Sequence, residues 1–527
     1  MTTDVSLQQP LGLPGIDRDQ TALRTQNWVD GLWTRFYNGD PRSIGGYIVC
    51  NFGTPEICRG MFGVPTGTII GTEANVNTIN LYNGNVTGVF FFPVNDAAQS
   101  LGVVNVTPLT YVDNPLNLWD FDQFTVDPGG GDPAINYILS HVSPSSSNIN
   151  TIAPGFSYYG INGAFDPFLT LVDSTLNGFI CVVAPFIFIG GQDGILIWND
   201  PGTLTFPIEN SVAYGNTRLV KGLPIRGGSV QSLLIWSLSS LYRVTYNPNT
   251  TEVSNTFFKE DISTNLSIIS ANSVIEIPEI STYVWIGRNC FYQYNGIVKE
   301  LPNRFNKQWF FNNLNRKFQE RCWALHVPKY NEVWFNAPFG DSEECTHTAV
   351  WNYGGDFWYD TINARSAGIS SQYLSFPIMS DAQFSNPFIT TYGEVYSFWM
   401  HEFGNDLQVD GSNFAIRKYL RSRDMRIANS LTNQDYQSRT RRFEADMFLD
   451  GQLTLQIYSK QFPGSPYEIS RQYLLRDPVT NIVGKTDIVQ LGRINSYYFE
   501  SNQVGGFFQF GASIIDIRPD SSERPAH

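Results

Sequence analysis

Ser232–Tyr246 reads SLLIWSLSSLYRVTY: an apolar run holding Trp236, a polar break, then a second run of aromatic and β-branched residues. Runs of this kind suit pleated, half-buried strands, and the polar break suits a turn. The same unit returns on both sides of this stretch. GILIWND carries Trp198, STYVWIGRNCFYQYNG carries Trp285, NEVWFNAP carries Trp334 and GEVYSFWMHE carries Trp399. The five tryptophans are 38, 49, 49 and 65 residues apart. A period of about 40–50 residues with four short strands per unit is that of a β-propeller blade. A four-stranded unit cannot bury both of its faces alone, so such blades stack with bulky apolar residues between them. The uneven spacing predicts an irregular propeller with insertions over residues 46–411. Asp127–Pro154 (DPGGGDP…SPSSSNIN) reads as one insertion, too polar and glycine-rich to pack. Tyr82-Asn83-Gly84 and Tyr294-Asn295-Gly296 read as hairpin turns, because Asn-Gly tolerates positive φ at both central positions.

Composition agrees with an all-β chain. Of 527 residues, 42 % are hydrophobic and only 16 % charged, against about 25 % charged in an average domain. The difference is made up by 45 Gly, 29 Pro, small polar residues and an aromatic load of 12 Trp, 26 Tyr and 38 Phe. This mixture excludes a coiled coil, a helical bundle, collagen and a disordered chain. The 34 basic and 48 acidic residues leave a net charge of −14, the wrong sign for a protein that grips phosphate. MTTDVSLQQP has no basic segment or apolar core, so no signal peptide is expected. The longest apolar run, Phe179–Ile189, is interrupted by Pro185 and is too short for a membrane-spanning helix. Cys50, Cys58, Cys181, Cys290, Cys322 and Cys345 form no CxxC pair, which predicts a reduced protein assembled inside a cell.

The two ends of the chain differ from its middle. Residues 1–45 are polar and turn-rich, with one amphipathic stretch around Trp28–Phe36, and read as an extended N-terminal arm or first strand. After Gly411 come Arg417, Lys418, Arg421, Arg423, Arg426, Arg439, Arg441 and Arg442, interrupted by Asp424 and Asp435. RFEADMFLDGQLTLQIYSKQF and INSYYFESNQVGGFFQFGASIIDIRP then alternate in the period-2 pattern of strands. Residues 412–527 are therefore expected to form an antiparallel β-sandwich and ring-forming region. The eight cations read either as a solvated face or as an interface that docks on an acidic neighbouring subunit. Contact with DNA ranks third.

No catalytic or cofactor signature emerges: there is no GxSxG elbow, no phosphate loop and no HExxH. His401-Glu402 stands without a second histidine and reads as a polar pair at a strand end on a blade edge. Cys345-Thr346-His347 has no partner pair for a metal. Asp120 and Asp122 share one face of a strand near Asp127, as carboxylates flanking a sugar would. A solvated strand edge is the favoured reading, with Trp119 and Phe121 as buried blade aromatics. No catalytic, cofactor or metal residue is assigned.

RFYNGDPRSIGGY (Arg35–Tyr47), NLWDFDQF (Asn117–Phe124), LPIRGGSVQSLLIWSLSSLYRVTY, WIGRNCFYQYNGIVKELP, YNEVWFNAP, VWNYGGDFWYD, YSFWMHEFGND and DIRPDSSER form an ordered set along the chain. Together they resemble, in the same order, segments of tail proteins of short-tailed bacteriophages. The first is similar to that family's R-F-x-N-G-x-P-x-x-x-G-G and the second to its N-L-W-x-F-D-Q-W. The departures are Trp334-Phe335-Asn336-Ala337-Pro338 for W-W-F-Y-P and Tyr294-Asn295-Gly296 for Y-D-G. The resemblance implies a nozzle, or packaged-DNA-stabilising, component of the virion. Its implied partners are itself in a ring, usually sixfold, the portal–adaptor proteins above, tail fibres or spikes, and genomic DNA passing without specific binding. No catalytic residue or cofactor transfers with it. The alternatives are a receptor- or glycan-binding propeller at the tail tip and, third, an enzyme.

Overall fold

The structure, a computed structural model, describes residues 5–9, 11–65, 79–94, 102–129, 134–144, 156–160, 165–168, 175–226, 230–250, 252, 255–371, 374–383, 396–426, 437–476 and 482–519. The described chain is mostly β, and its α-helix is the short Lys307–Asn313. Among the described residues no helix is long and apolar enough to cross a membrane.

Six successive antiparallel four-stranded sheets occupy the middle of the chain, each made of strands consecutive in sequence. Their first strands are Cys58–Pro65, Asn117–Val126, Phe179–Val183, Leu219–Pro224, Ile275–Ile277 and Trp323–Val327. A seventh sheet begins with Arg365–Ile369, Ile378–Asp381 and Tyr396–His401. Its fourth strand is Tyr47–Thr54, which comes from before the first sheet. Leu407–Val409 and Ser412–Phe414 extend it, so the seventh sheet runs three residues past Gly411.

These sheets close into a cycle. First strands pack side by side from the first sheet to the fourth, from the fifth to the seventh, and from the seventh back to the first. The junction of fourth and fifth is filled by Trp236 against Trp285, with ring centroids 5.6 Å apart, and by Tyr283 Oη donating to the Pro224 carbonyl at 2.7 Å. Separate hydrophobic clusters fill the junctions, as expected for units that bury their faces only against neighbours. The tryptophan spacing now has a cause. Trp236, Trp285 and Trp334 lie on second strands, whereas Trp198 and Trp399 lie on third strands. The short and long intervals therefore include a change of strand position.

Two local expectations are corrected. Tyr82-Asn83-Gly84 is no turn; it lies inside the strand Ile79–Asn85. Gly84 is needed there because the Trp119 ring packs on its backbone, and a β-carbon would collide with the indole. Tyr294-Asn295-Gly296 does turn the chain, between Phe291–Tyr294 and Val298–Glu300, with Gly296 at φ 102°. Asp127–Pro154 is not one loop either. Ile135–Pro144 is the second strand of the second sheet, burying Ile138, Leu139 and Val142, while 130–133 and 145–154 lie outside the described residues.

Leu13–Ile16 and Asn27–Trp28 form a small parallel pair, and the remaining strands form two further antiparallel sheets drawn from both ends of the chain. One orders Lys485–Gly492, Ser438–Asp450, Phe507–Pro519, Asp40–Ser43 and Thr34–Tyr37, with Val5–Gln9 also on Phe507–Pro519. The other orders Asp30–Leu32, Lys418–Arg421, Ile494–Ser501, Thr454–Lys460 and Glu468–Ile469. Phe443 of the first meets Phe499 of the second with ring centroids at 5.7 Å, and Trp28 packs against Phe499 and Phe510. Residues 11–44 thus differ from a free arm: Leu11, Ile16, Trp28, Trp33, Phe36 and Ile44 are all buried in the core these sheets share with the sixth sheet of the cycle.

Candidate functional site

Where the N-terminal strands meet the cycle, they bury a charge. Arg35 sits in Thr34–Tyr37 between the buried Thr34 and Phe36, and its side chain is 1 % exposed. Its two terminal nitrogens donate to Glu402 at 3.0 and 2.5 Å, and one also donates to Glu332 at 3.2 Å. Glu332, fully buried, accepts from Tyr359 Oη at 2.6 Å and from Trp334 Nε1 at 3.0 Å. The Tyr330 ring lies 3.6 Å from the guanidinium carbon. Burial alone would lower the Arg35 pKa, but Glu332 and Glu402 outweigh it and hold the group charged. Burial pushes Glu332 upward, and Arg35 only partly offsets this. An ion cluster this dry adds little net stability over apolar packing, but removal of one member leaves buried charge exposed to low dielectric.

The surrounding backbone is fitted to the cluster. Glu402 takes φ 64°, directly after the strand Tyr396–His401. Gly45 N–H donates to Glu402 at 3.3 Å, and Gly46 leaves no room for a β-carbon against the Asp406 backbone. Asp406 in turn accepts from Gly505 N–H at 2.7 Å. His401-Glu402 is therefore not on an edge: its strand pairs on both sides, and His401 Nε2 accepts from Arg365 at 3.0 Å. Burial, then Arg365, keeps His401 well below its ordinary pKa.

A second polar group lies on the axis of the cycle, beside a cavity of about 200 Å³ lined by Asp120, Lys221 and Asn272 among others. Asp120 accepts from Lys221 Nζ at 2.6 Å, bridging the second and fourth sheets. Asp122 accepts from the Val182 amide at 2.7 Å, tying in the third. Burial pushes the Asp122 pKa up to about 6. The favoured reading of a solvated strand edge is thus corrected: both carboxylates point between sheets, because the alternate face of this inner strand is covered by the third sheet. Asp127 stands apart, exposed and capping Gly129 N–H at 2.9 Å. Trp119 and Phe121 are buried and stacked at 5.9 Å. His141, behind them, shares a hydrogen bond of 2.8 Å with Ser157, and burial, then Arg218 and Lys221, pushes it down to about 3.

The eight candidate interface cations do not share one surface. Arg417, Lys418, Arg421, Arg423 and Arg426 lie on or beside the sheet of Lys418–Arg421; Arg439, Arg441 and Arg442 lie on Ser438–Asp450 of the other. Lys418 is buried and donates to the Asn405 and Gly506 carbonyls at 2.7 and 2.5 Å, with burial pushing its pKa down to about 8. Arg421 lies between the Tyr458 and Tyr467 rings, 4.9 and 4.4 Å from their centroids. Arg417 is exposed but bonded to Glu500 at 2.7 Å. Arg442 lies 3.3 Å from Asp487 and 3.7 Å from Asp516. Arg423 is half-buried, and Arg426, Arg439 and Arg441 are exposed.

Cys345 and His347 do not converge: the thiol meets the Arg321 carbonyl at 3.2 Å, while His347 stacks on Phe339 at 4.6 Å. Among the described residues no three His, Cys, Asp or Glu groups are placed to hold a metal ion. Sequence reasoning passed over Arg35, Glu332 and Tyr359 as individual residues. The available signal was a charge inside an apolar strand, as in TRFY and EVWF.

No family model and no curated protein matches the chain. Two solved structures are similar over most of their length. The computationally designed Ika8 protein matches with a TM-score of 0.35 and 7 % identity, over 67 % of this chain and 98 % of that one. Sqt1 of Saccharomyces cerevisiae matches with a TM-score of 0.37 and 11 % identity, over 75 % and 95 %. Likeness at this level does not define the fold; the strand pairing does.

Proposed function

We propose that this chain is a structural subunit of a short bacteriophage tail, forming the nozzle ring below portal and adaptor that retains packaged DNA and then conducts it. In this reading the cycle of seven sheets is a β-propeller and the two flanking sheets a β-sandwich. The N-terminal residues, read from sequence as an arm, belong to that sandwich. The chain acts in the virion and carries no catalysis of its own.

The observation that carries the reading is convergence. Segments that resemble the tail family are far apart in sequence, yet four of them supply one buried cluster: Arg35 from RFYNGDPRSIGGY, Glu332 from YNEVWFNAP, Tyr359 from VWNYGGDFWYD and Glu402 from YSFWMHEFGND. The shared residues thus have a common physical task, fixing the N-terminal strands to the cycle of sheets. A net charge of −14 suits a wall along which DNA slides, since bound phosphates would add friction.

Single-particle imaging of the purified chain, alone and with a portal–adaptor complex, tests this. Annular particles with an open centre, growing on the portal, are expected. Isolated single particles under both conditions would overturn the nozzle reading.

A further inference from the structure

Away from the ion cluster's interior, a cleft of about 700 Å³ opens at the ends of the first strands of the fifth, sixth and seventh sheets. This is within the range of about 300–1,000 Å³ in which proteins enclose small ligands. Its walls combine two kinds of surface. Tyr330, Phe376, Ile369 and Leu374 supply apolar area, and one face of the Tyr330 ring is already held by Arg35. Between them stand Arg226, Glu276, Glu279, His326 and Lys329.

The charges of this lining cancel. Arg226 lies 3.1 Å from Glu276, and His326 Nε2 lies 3.5 Å from Glu279 and 3.1 Å from Tyr353 Oη. Lys329 and Glu279 balance the remainder, and Glu402, at the back, is committed to Arg35. A balanced lining gives no field to attract a phosphate or a polyamine. The paired donors and acceptors equally disfavour a hydrocarbon, which would leave them desolvated and unmatched. The chemistry that fits is a ligand with apolar C–H faces and a rim of hydroxyls able both to donate and to accept.

We infer that this cleft is a binding site for a short neutral oligosaccharide. Glu276 and Glu279 accept from sugar hydroxyls, Arg226 and Lys329 donate to ring and hydroxyl oxygens, and Phe376 supplies an apolar wall. The site depends on the cleft alone, so it stands or falls separately from ring formation.

The test is calorimetric titration of the full chain with maltotriose, cellotriose and triacetylchitotriose, with sialyllactose and a short oligonucleotide as charged comparators. Saturable binding of at least one neutral trisaccharide is expected, with weaker or no binding of the charged probes. Phe376→Ala and Glu279→Gln should each weaken it about tenfold. Glu279 is exposed, so Glu279→Gln should leave thermal unfolding nearly unchanged; Phe376 packs on Phe403 at 5.8 Å, so the affinity of its variant is read after thermal unfolding has shown it folded, and Asp120→Asn on the axis should leave sugar affinity alone. Absence of binding to all three neutral sugars, preference for a charged probe, or binding indifferent to both cleft substitutions would each overturn the inference. Rings that form but bind no sugar would remove this site and leave the tail reading intact.

Discussion

In the cycle of seven sheets nearly every strand pairs with its neighbour in sequence, whereas in the two flanking sheets Thr34–Tyr37 and Asp40–Ser43 reach Phe507–Pro519 across almost the whole chain. Both regions use short antiparallel strands with buried aromatics. What separates them is how the loop-closing cost is met: by short hairpins in the first case and by long-range association in the second. The cycle can gain stability sheet by sheet, through clusters such as Trp236–Trp285. In the two-ended sheets Ser438–Asp450 pairs with Lys485–Gly492 and Phe507–Pro519 within the C-terminal part of the chain, and the N-terminal strands join them only across almost its whole length. The Arg35 cluster is where the two modes are joined.

Breaking that joint should have the largest effect. Arg35→Ala leaves Glu332 and Glu402 buried without their cation and is expected to cost about 3–5 kcal/mol in denaturant unfolding. If the joint couples the regions, this variant should also separate one unfolding transition into two, seen by comparing probes in the cycle and in the two-ended sheets. A single transition with a loss below about 1 kcal/mol would show that the cluster does not couple them.

Gly84→Val strikes within the cycle alone. Its side chain must displace Trp119, at about 1–3 kcal/mol from overpacking, and the change should move the cycle's transition and not that of the two-ended sheets. Equal shifts in both would mean that the regions are not distinct.

Next in size is a dependence on pH. His141 is held at about 3 against an ordinary 6.5, so the fold prefers its neutral form. The stability this gives is complete above pH 6.5 and is lost as pH falls from there toward 3. Asp122 runs the other way: with its pKa at about 6, the contribution is complete below the ordinary carboxylate value and is lost as pH rises through 6. His141→Gln should therefore flatten the acid limb of a stability profile between pH 6.5 and 3, and an unchanged limb would refute this assignment.

The smallest effect on stability belongs to Arg441, exposed on Ser438–Asp450. Arg441→Ala should change unfolding by less than about 0.5 kcal/mol. If that sheet docks on another subunit, sedimentation should nonetheless show weaker self-association. An unchanged sedimentation profile would remove Arg441 from the interface.

The same contrast explains what could be read in advance. Trp236, Trp285 and Trp334 occupy the same strand of successive sheets, so a local period announced them. Trp198 and Trp399 blurred it by one strand. The partnership of Arg42 with Gln509 has no local trace, since neither residue's neighbours specify a strand so far away, and residues 1–45 therefore read as an arm. Asp120 and Asp122 were recognisable as sharing a face. That the face is covered depends on the third sheet, which the strand's own residues do not encode. The cluster was visible only as parts: Arg35, Glu332 and Glu402 each stand in noteworthy segments, but their meeting is a property of the closed cycle.

One feature also orders events during synthesis. The seventh sheet takes its fourth strand, Tyr47–Thr54, from near the start of the chain and pairs it with Tyr396–His401. A ribosome releases that early strand long before its partner is made. While the intervening sheets are translated, the strand's edges are open to any neighbouring chain on the same messenger. Crowded translation therefore favours exchange of this strand between nascent copies, and a chaperone that covers residues 47–54 until His401 emerges would protect the yield of correctly closed monomers.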